Sequence, residues 1–435
     1  MIHRTILEWE SLPYGHDPLD QATIPGHIAD RIAVVAAASP LAGRGGNGVL
    51  EHGRKALRAR GVVGVVAAEG GALEILPKIE SRTDSSAGQI GNIRRRLVHM
   101  LAVALDIRID AGQFTALDWQ RDTLLEILIR LFTEKLVDAV RRGMPRRYVP
   151  EENELATLRG RLDVTRQFTV LAANPSRLAC RYDALSPDIA LNQIMKAAVT
   201  RLASIARAGE NRRRLRELAF AYADIADVPV AALRWNQLVL DRTNARWHEL
   251  LSMAKLLLGQ RFQTTSAGEG KGFSLLFEMN TLFEEYVART VRRALAGSDL
   301  SVISQGGRMY CLETENGGLF QTKPDIIIKR ERQVVQVIDT KWKRIAARID
   351  DRKQGVSQAD VYQMMAYGRL YDCSRLTLLY PHHRGLQCIE GVQASHRVAG
   401  SDHWLETATV DVALADNMGD RLSSLIGIER EGVWK

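Results

Sequence analysis

Two acidic residues and one lysine carry the strongest chemical pattern in the chain: Asp325 after Pro324, then Asp339 and Lys341 around Thr340. Asp325-Ile326-Ile327-Ile328 and Val334-Val335-Gln336-Val337-Ile338-Asp339 read as β-strands, because β-branched runs flank the polar stretch Lys329-Arg330-Glu331-Arg332-Gln333. If Lys329 pairs with Val335, the antiparallel register sets Asp325 directly opposite Asp339, and opposed residues project from one face. Lys341 lies two positions beyond Asp339, so strand alternation returns it to that face. Like carboxylates held this close repel, and a hard divalent cation relieves the repulsion. Mg²⁺ takes one or two carboxylates while keeping waters and binding phosphate oxygens. It polarises a phosphodiester and acidifies water, and a nearby ammonium orients that water or offsets charge growing on the phosphate. The expected chemistry is metal-dependent phosphodiester hydrolysis, with Asp325, Asp339 and Lys341 catalytic. Asp325 and Asp339 would be metal ligands, joined by the Thr340 carbonyl. The competing explanation is a hairpin whose ends are merely charged, with Asp339 and Lys341 forming a surface ion pair.

The elements around the hairpin must hold it in place. Leu275, Leu276, Met279, Leu282, Phe283, Tyr286 and Val287 recur at i, i+3, i+4, i+7 and predict an amphipathic helix. Leu300 to Ser304 reads as a strand, Asp360 to Tyr371 as a helix, and Leu376 to Tyr380 as a buried strand ended by Pro381. The order is helix, three strands, helix, strand. Glu284 and Glu285 ride on the first helix, with Glu284 nearer its apolar stripe. Gln363 and Tyr367, four apart, share a face of the second.

Upstream, Thr264 to Gly272 is polar and glycine-rich and reads as a linker. Three regions are expected, making a multidomain α/β protein: a mixed, β-rich module over residues 1–115, a basic helical region over 116–265, and a C-terminal α/β domain over 273–435. In the first, two β-branched runs flank Glu69-Gly70-Gly71 as a hairpin over 61–79, which reads as an interaction finger or as part of a small barrel, the barrel being favoured. Residues 93–104 read as a helix. In the second, arginines cluster at Arg141-Arg142, Arg146-Arg147, Arg159 with Arg161, and Arg212-Arg213-Arg214 with Arg216. Each cluster alone reads as a solvated helix face or loop end; together they could form a phosphate-tracking surface. Gly43-Arg44-Gly45-Gly46-Asn47-Gly48 matches GxGxxG literally but has no βαβ setting, so a glycine-rich loop is expected. No G-x-x-x-x-G-K-[ST] occurs, which leaves any nucleotide hydrolysis to a partner chain.

Composition sets the bounds. A chain of 435 residues buries more than one core, and 46% hydrophobic with 25% charged residues suits a soluble globular protein. No apolar run is long enough to span a bilayer, and the first residues lack a secretory signal, so no membrane association and a cytoplasmic location are expected. The four cysteines form no CxxC pair, and the ten histidines show no HxH or HExxH spacing; reduced thiols and no zinc site are expected. The net charge of +8 falls mainly before Phe273 and favours a polyanionic partner such as nucleic acid.

Pro324-Asp325 with Asp339-Thr340-Lys341 resembles the PD-(D/E)xK nuclease superfamily and its αβββαβ core. Gln363-Met364-Met365-Ala366-Tyr367 is similar to the Gln-x-x-x-Tyr pattern of the RecB-like branch, where that pair lies beside the active centre. The resemblance implies that Gln363 and Tyr367 support the site or the DNA backbone. Related nucleases sometimes add an acidic metal ligand from the first helix, for which Glu284 is the candidate; the alternative is a solvated helix flank. Phe277-Glu278-Met279-Asn280, Leu282 to Val287, Ile338 to Trp342, Leu379-Tyr380-Pro381, Ile75 to Ile79 and Leu158 to Asp163 resemble the McrC family, nuclease subunits of McrBC-type restriction systems in phage defence. That likeness implies an endonuclease that uses Mg²⁺, with Mn²⁺ as a substitute, and cuts double-stranded DNA in complex with a McrB-like AAA+ GTPase ring. The partner would recognise modified cytosine and use the GTP, and this chain would stimulate its hydrolysis. The alternatives are a non-catalytic activator of an NTPase ring and a RecB-like repair exonuclease. Trp342, next to Lys341, is expected to point away from the site into packing.

Overall fold

The β-branched runs before residue 79 form a hairpin, and the rest of the molecule determines which strands flank it. The computed structural model describes residues 2–43, 45–78, 87–109, 117–174, 176–238, 240, 246–259, 272–315, 317–345, 355–386, 388–413 and 417–427. The chain divides into two compact units, one combining Met1–Leu125 with Phe262–Lys435 and the other Glu126–Arg261. It is a mixed α/β protein with several sheets.

In the first unit the hairpin strands Val62–Ala68 and Gly71–Leu76 occupy the middle of a four-stranded sheet. Ile2–Leu7 runs parallel to Gly71–Leu76 on one side, and Phe273–Glu278 runs antiparallel to Val62–Ala68 on the other. The helix Gly26–Ala37 covers this sheet, packing Ile28, Ala29 and Ile32 into a core with Val66, Leu73, Ile75 and Leu276. The sheet is open, so the hairpin is not part of a closed barrel; a separate three-stranded sheet joins Ser11–Pro13, Ala56–Ala59 and Leu50–His52. Glu74, fully buried on its strand, accepts a bidentate pair from Arg94 at 2.9 and 2.6 Å and a bond from the Thr5 hydroxyl at 2.8 Å. Those bonds satisfy a charge that would otherwise be costly to bury.

Phe273–Glu278 corrects the expected helix start. The helix begins at Met279 and runs to Ala294, while Leu275 and Leu276 belong to the strand. Gly64 makes the pairing possible: its φ is +133°, and a Cβ there would stand 1.9 Å from the Leu275 carbonyl oxygen. Only glycine admits a neighbouring strand that close.

The same unit holds a six-stranded sheet, in the order Leu300–Ser304, Ile326–Arg330, Gln333–Thr340, Arg375–Pro381, Trp404–Val410, Gly391–Arg397. The first three strands are antiparallel, and Gln333–Thr340, Arg375–Pro381 and Trp404–Val410 run parallel. A parallel neighbour requires a crossover, and the helix Gln358–Leu370 provides it, burying Met364 and Tyr367 against Ile327, Val337, Leu376 and Leu378. The helix Met279–Ala294 packs against Gln333–Thr340 and against a C-terminal helix, Met418–Ile426. The last two strands, that helix and the hairpin Tyr310–Thr314 with Gly317–Gln321 are additions to the expected element order.

The second unit adds strands to the mostly helical pattern expected of it. Helices Ala190–Ile205, Gly209–Ala221 and Trp247–Leu257 are present. With them stands a three-stranded sheet of Arg147–Leu155, Leu178–Ser186 and Arg161–Leu162. Arg147–Leu155 reads Arg-Tyr-Val-Pro-Glu-Glu-Asn-Glu-Leu, too polar to show the alternation that marks a half-buried strand. Among the described residues, no helix is long and apolar enough to cross a membrane.

Candidate active site

The two central strands meet in a register that differs from the expected one and still has the same outcome at the site. A two-residue turn at Glu331-Arg332 pairs Arg330 with Gln333, and Lys329 faces Val334, not Val335. A bulge between Ile328 and Lys329 then shifts the ladder by one residue, giving Ile328 with Gln336, Ile327 with Val337 and Ile326 with Ile338. Asp325 and Asp339, the next residue on each strand, come level with each other.

Each acid is fixed by its own partners. The Asp325 carboxylate Oδ2 accepts the Thr340 backbone N–H at 2.7 Å and the Thr340 hydroxyl at 2.9 Å. From the other side, the Gln305 N–H donates to the Asp325 carbonyl at 2.9 Å, continuing the pairing of Leu300–Ser304 with its neighbour. Asp339 is buried at 1% exposure, and Lys341 Nζ stands 2.6 Å from its Oδ2. The Lys341 backbone N–H donates to the Leu379 carbonyl at 2.9 Å, extending the parallel ladder one residue past Thr340. The ion pair of the competing explanation therefore exists, but its carboxylate is buried and not on the surface.

The electrostatics are those of crowded carboxylates. Burial first, then the charge of Glu284, pushes the Asp325 carboxyl up to about 6 against the bonds from Thr340. Burial and the charge of Asp325 push Asp339 up to about 6 against the pull of Lys341. Burial by itself would lower the Lys341 ammonium; Asp339, Asp360 and Asp325 outweigh it and hold its pKa above the usual lysine value. Glu284 is raised by burial, partly offset by a side-chain hydrogen bond with Gln305, and it feels the charge of Asp339. The Tyr367 phenol is pushed up to about 12 by burial, with Asp339 and Asp325 adding to the effect, and it accepts a hydrogen bond from Gln363 Nε2 at 2.6 Å.

Asp325, Thr340, Asp339 and Lys341 thus converge directly. Glu284 and Tyr367 lie within electrostatic reach of both acids or one of them, and Gln363 reaches the site through Tyr367. Among the described residues no three His, Cys, Asp or Glu side chains form a ready-made metal cage. Mg²⁺ does not require one: hard oxygen donors from one or two carboxylates suffice, with water completing the shell. Two buried acids whose charged forms are disfavoured suit a cation of that kind.

One acidic neighbour has no counterpart among the expected residues. Asp360, buried at 8% exposure, stands 3.1 Å from Lys343 and 3.9 Å from Lys341. Its signal in the sequence is its position three residues before Gln363 and seven before Tyr367, on one helix face. Trp342 packs edge-to-face on Phe283 with ring centroids 5.3 Å apart, in line with the packing role expected of it.

A family model described as McrBC 5-methylcytosine restriction system component matches residues 57–381. No curated protein matches the chain. Among solved structures, a chain of the refined half-complex from a tetradecameric assembly of Thermococcus gammatolerans McrB AAA+ hexamers with bound McrC is similar over 98% of this chain and 99% of that one, with a TM-score of 0.72 at 19% identity. A chain of the cryo-EM structure of the Thermococcus gammatolerans McrBC complex is similar over 68% of this chain and 88% of that one, with a TM-score of 0.50 at 24% identity. At these identities the likeness is one of fold.

Proposed function

The chain belongs to the family of McrBC 5-methylcytosine restriction system components, and from that premise we propose that it is the DNA-cutting subunit of such a system. It is a Mg²⁺-dependent endonuclease on a PD-(D/E)xK core, acting with a McrB-like AAA+ GTPase ring and stimulating it. One observation carries this reading: Asp325, Asp339 and Lys341 converge at the ends of adjoining strands, with both carboxyls pushed up to about 6. Groups poised this way by burial and like charge are typical of functional centres.

Asp325 and Asp339 would hold the cation, with the Thr340 carbonyl and Glu284 as further oxygen donors. Mg²⁺, or Mn²⁺ in its place, would supply Lewis acidity toward the phosphodiester and lower the pKa of water. Thr340 keeps the Asp325 carboxylate turned toward the site through its two hydrogen bonds. The Lys341 ammonium, kept charged by its acidic neighbours, orients the attacking water and offsets charge on the phosphate. Gln363 and Tyr367 support the site or the DNA backbone beside it, Tyr367 from a buried position. The partner is inferred from the family and from the similar structure with McrB AAA+ hexamers, and GTP hydrolysis is assigned to it because this chain carries no phosphate-binding loop of its own.

The test is cleavage of covalently closed, 5-methylcytosine-containing plasmid by the chain with its AAA+ ring, GTP and Mg²⁺. Asp339→Ala abolishes cutting while GTPase stimulation persists. Cleavage retained by the pure variant refutes the assignment. A closed circle left uncut by the parent chain while linear DNA is degraded points to an exonuclease, and raised GTP hydrolysis without any cutting points to an activator.

A further inference from the structure

Glu8 follows directly on the first strand of the N-terminal sheet and is buried at 3% exposure, although it lies far from the acidic pair in sequence. Its backbone N–H donates to the Leu76 carbonyl at 2.9 Å, which continues the pairing of Ile2–Leu7 with Gly71–Leu76. Its carboxylate Oε1 accepts two N–H groups, the Lys78 backbone at 2.9 Å and the Trp342 indole Nε1 at 2.9 Å. Trp342 follows Lys341 directly. Its backbone N–H donates to Asn280 Oδ1 at 3.0 Å, and its ring meets Phe283. Asn280 and Phe283 sit on the Met279–Ala294 helix, where Phe283 precedes Glu284.

Past Lys341 the backbone turns out of the sheet, and the Lys343 N–H folds back to the Lys341 carbonyl at 2.9 Å. The aim of a long, flexible lysine side chain depends on how firmly the backbone at this exit is held. Several side chains hold it: Asn280 grips the Trp342 main chain, Phe283 and Glu8 hold its ring, and Asp360 pairs with Lys343. A carboxylate is a costly choice for a buried position, since burial disfavours its charge, and apolar packing there would be cheaper. Burial does raise the Glu8 carboxyl, against the bonds from Trp342 and Lys78. What the carboxylate offers that an apolar group does not is one acceptor that fixes an indole donor and a main-chain donor together.

We infer that Glu8 is a positioning residue for the nuclease centre: from the N-terminal sheet it fixes the Trp342 indole and, through it, the backbone that aims Lys341. This rests on the nuclease reading above.

The test uses the full chain with its AAA+ ring, closed methylated plasmid, GTP and Mg²⁺, with Asp339→Ala as the control. Glu8→Leu and Trp342→Phe each slow single-turnover cleavage by about tenfold, as a small misplacement of a reacting group does. Both leave the half-saturating Mg²⁺ concentration unchanged, because Lys341 is not a metal ligand. Glu8→Gln, whose amide oxygen still accepts the indole N–H, stays within about threefold of the parent. The double variant Glu8→Leu/Trp342→Phe cuts no more slowly than Trp342→Phe alone, since Glu8 acts on Lys341 only through the indole contact that both changes remove; the Lys78 N–H that Glu8→Leu also frees lies on the N-terminal sheet. In spectra of ¹⁵N-tryptophan-labelled protein, the Trp342 indole N–H resonance, assigned by its loss in Trp342→Phe, shifts in Glu8→Leu. Additive losses in the double variant, full activity of Glu8→Leu, or an indole resonance unmoved by it overturns the inference. If Glu8→Leu does not fold, full activity of Trp342→Phe overturns it instead. An active Asp339→Ala control is a different failure: it removes the nuclease reading itself.

Discussion

The Asp325 carboxylate is held by Thr340, the residue that separates Asp339 from Lys341, through both its backbone N–H and its hydroxyl. A single strand end therefore supplies one acid, orients the other and carries the lysine. Thr340→Val keeps the backbone donor and loses the hydroxyl, so it loosens Asp325 without removing any charge. The half-saturating Mg²⁺ concentration for plasmid cleavage should rise by about three- to tenfold, in line with the loss of a hydrogen bond to a charged group. Thr340→Ser should restore it, and an unchanged Mg²⁺ titration in Thr340→Val would show that the hydroxyl does not orient the acid.

Lys341→Met should slow single-turnover cleavage by about 10²- to 10³-fold, the usual cost of removing a group that stabilises charge in the transition state. Mg²⁺ binding measured by calorimetry should persist, because both carboxylates remain. Loss of binding and rate together would mean that the lysine serves to assemble the site.

The acids make the metal-free protein less stable at neutral pH. Asp325 titrates near 6 when folded, against an ordinary 3.8. Between those values the folded chain binds more protons than the unfolded one, so stability falls as pH rises through that window and stays lower above it. Asp325→Asn removes the cost. Without Mg²⁺ the variant should exceed the parent by about 1–2 kcal/mol at pH 7, a rise of a few degrees in Tm, with no gain at pH 4. Adding Mg²⁺ should stabilise the parent alone. A variant that melts below the parent at pH 7 in chelator contradicts this.

Gly64→Ala puts a methyl group where the Leu275 carbonyl stands, 1.9 Å from the Cβ position, on a backbone with φ of +133°. The strand Phe273–Glu278 must shift or detach. The cost should be about 2–4 kcal/mol, within the range for strained backbone and overpacking, and should be visible as a lower midpoint in urea. Because that strand leads directly into the helix bearing Glu284, cleavage should fall as well. A midpoint equal to the parent's would mean that the two strands are not held at this spacing.

The site hairpin was legible because Ile326, Ile327, Ile328 and the run from Val334 to Ile338 stand between polar residues, and strand alternation relates Asp339 to Lys341. The bulge at Ile328 was not legible: a one-residue slip leaves both runs equally apolar, and here it compensates for a tighter turn than the polar loop suggests. Phe273–Glu278 does not show in the sequence as a strand, because Leu275 and Leu276 fit helical spacing with Met279 as well as they fit a strand buried on both faces. Asp360 does not stand out, because an acidic residue in a helix's first turn is ordinary, favoured by the helix dipole wherever it occurs. The bond from Trp342 to Glu8 depends on long-range packing, which no local pattern reports.

The sheet that opens the chain is finished by Phe273–Glu278, a strand that leaves the ribosome long after its neighbour Val62–Ala68. At roughly 5–20 residues per second, the delay is on the order of 10–40 seconds. Throughout it, the nascent N-terminal region carries a bare apolar strand edge, the kind that seeks pairing with other chains. Yield in a host cell should therefore depend on translation speed and chaperone supply more than on the final stability of the protein, and slow codons between the two strands should lower it.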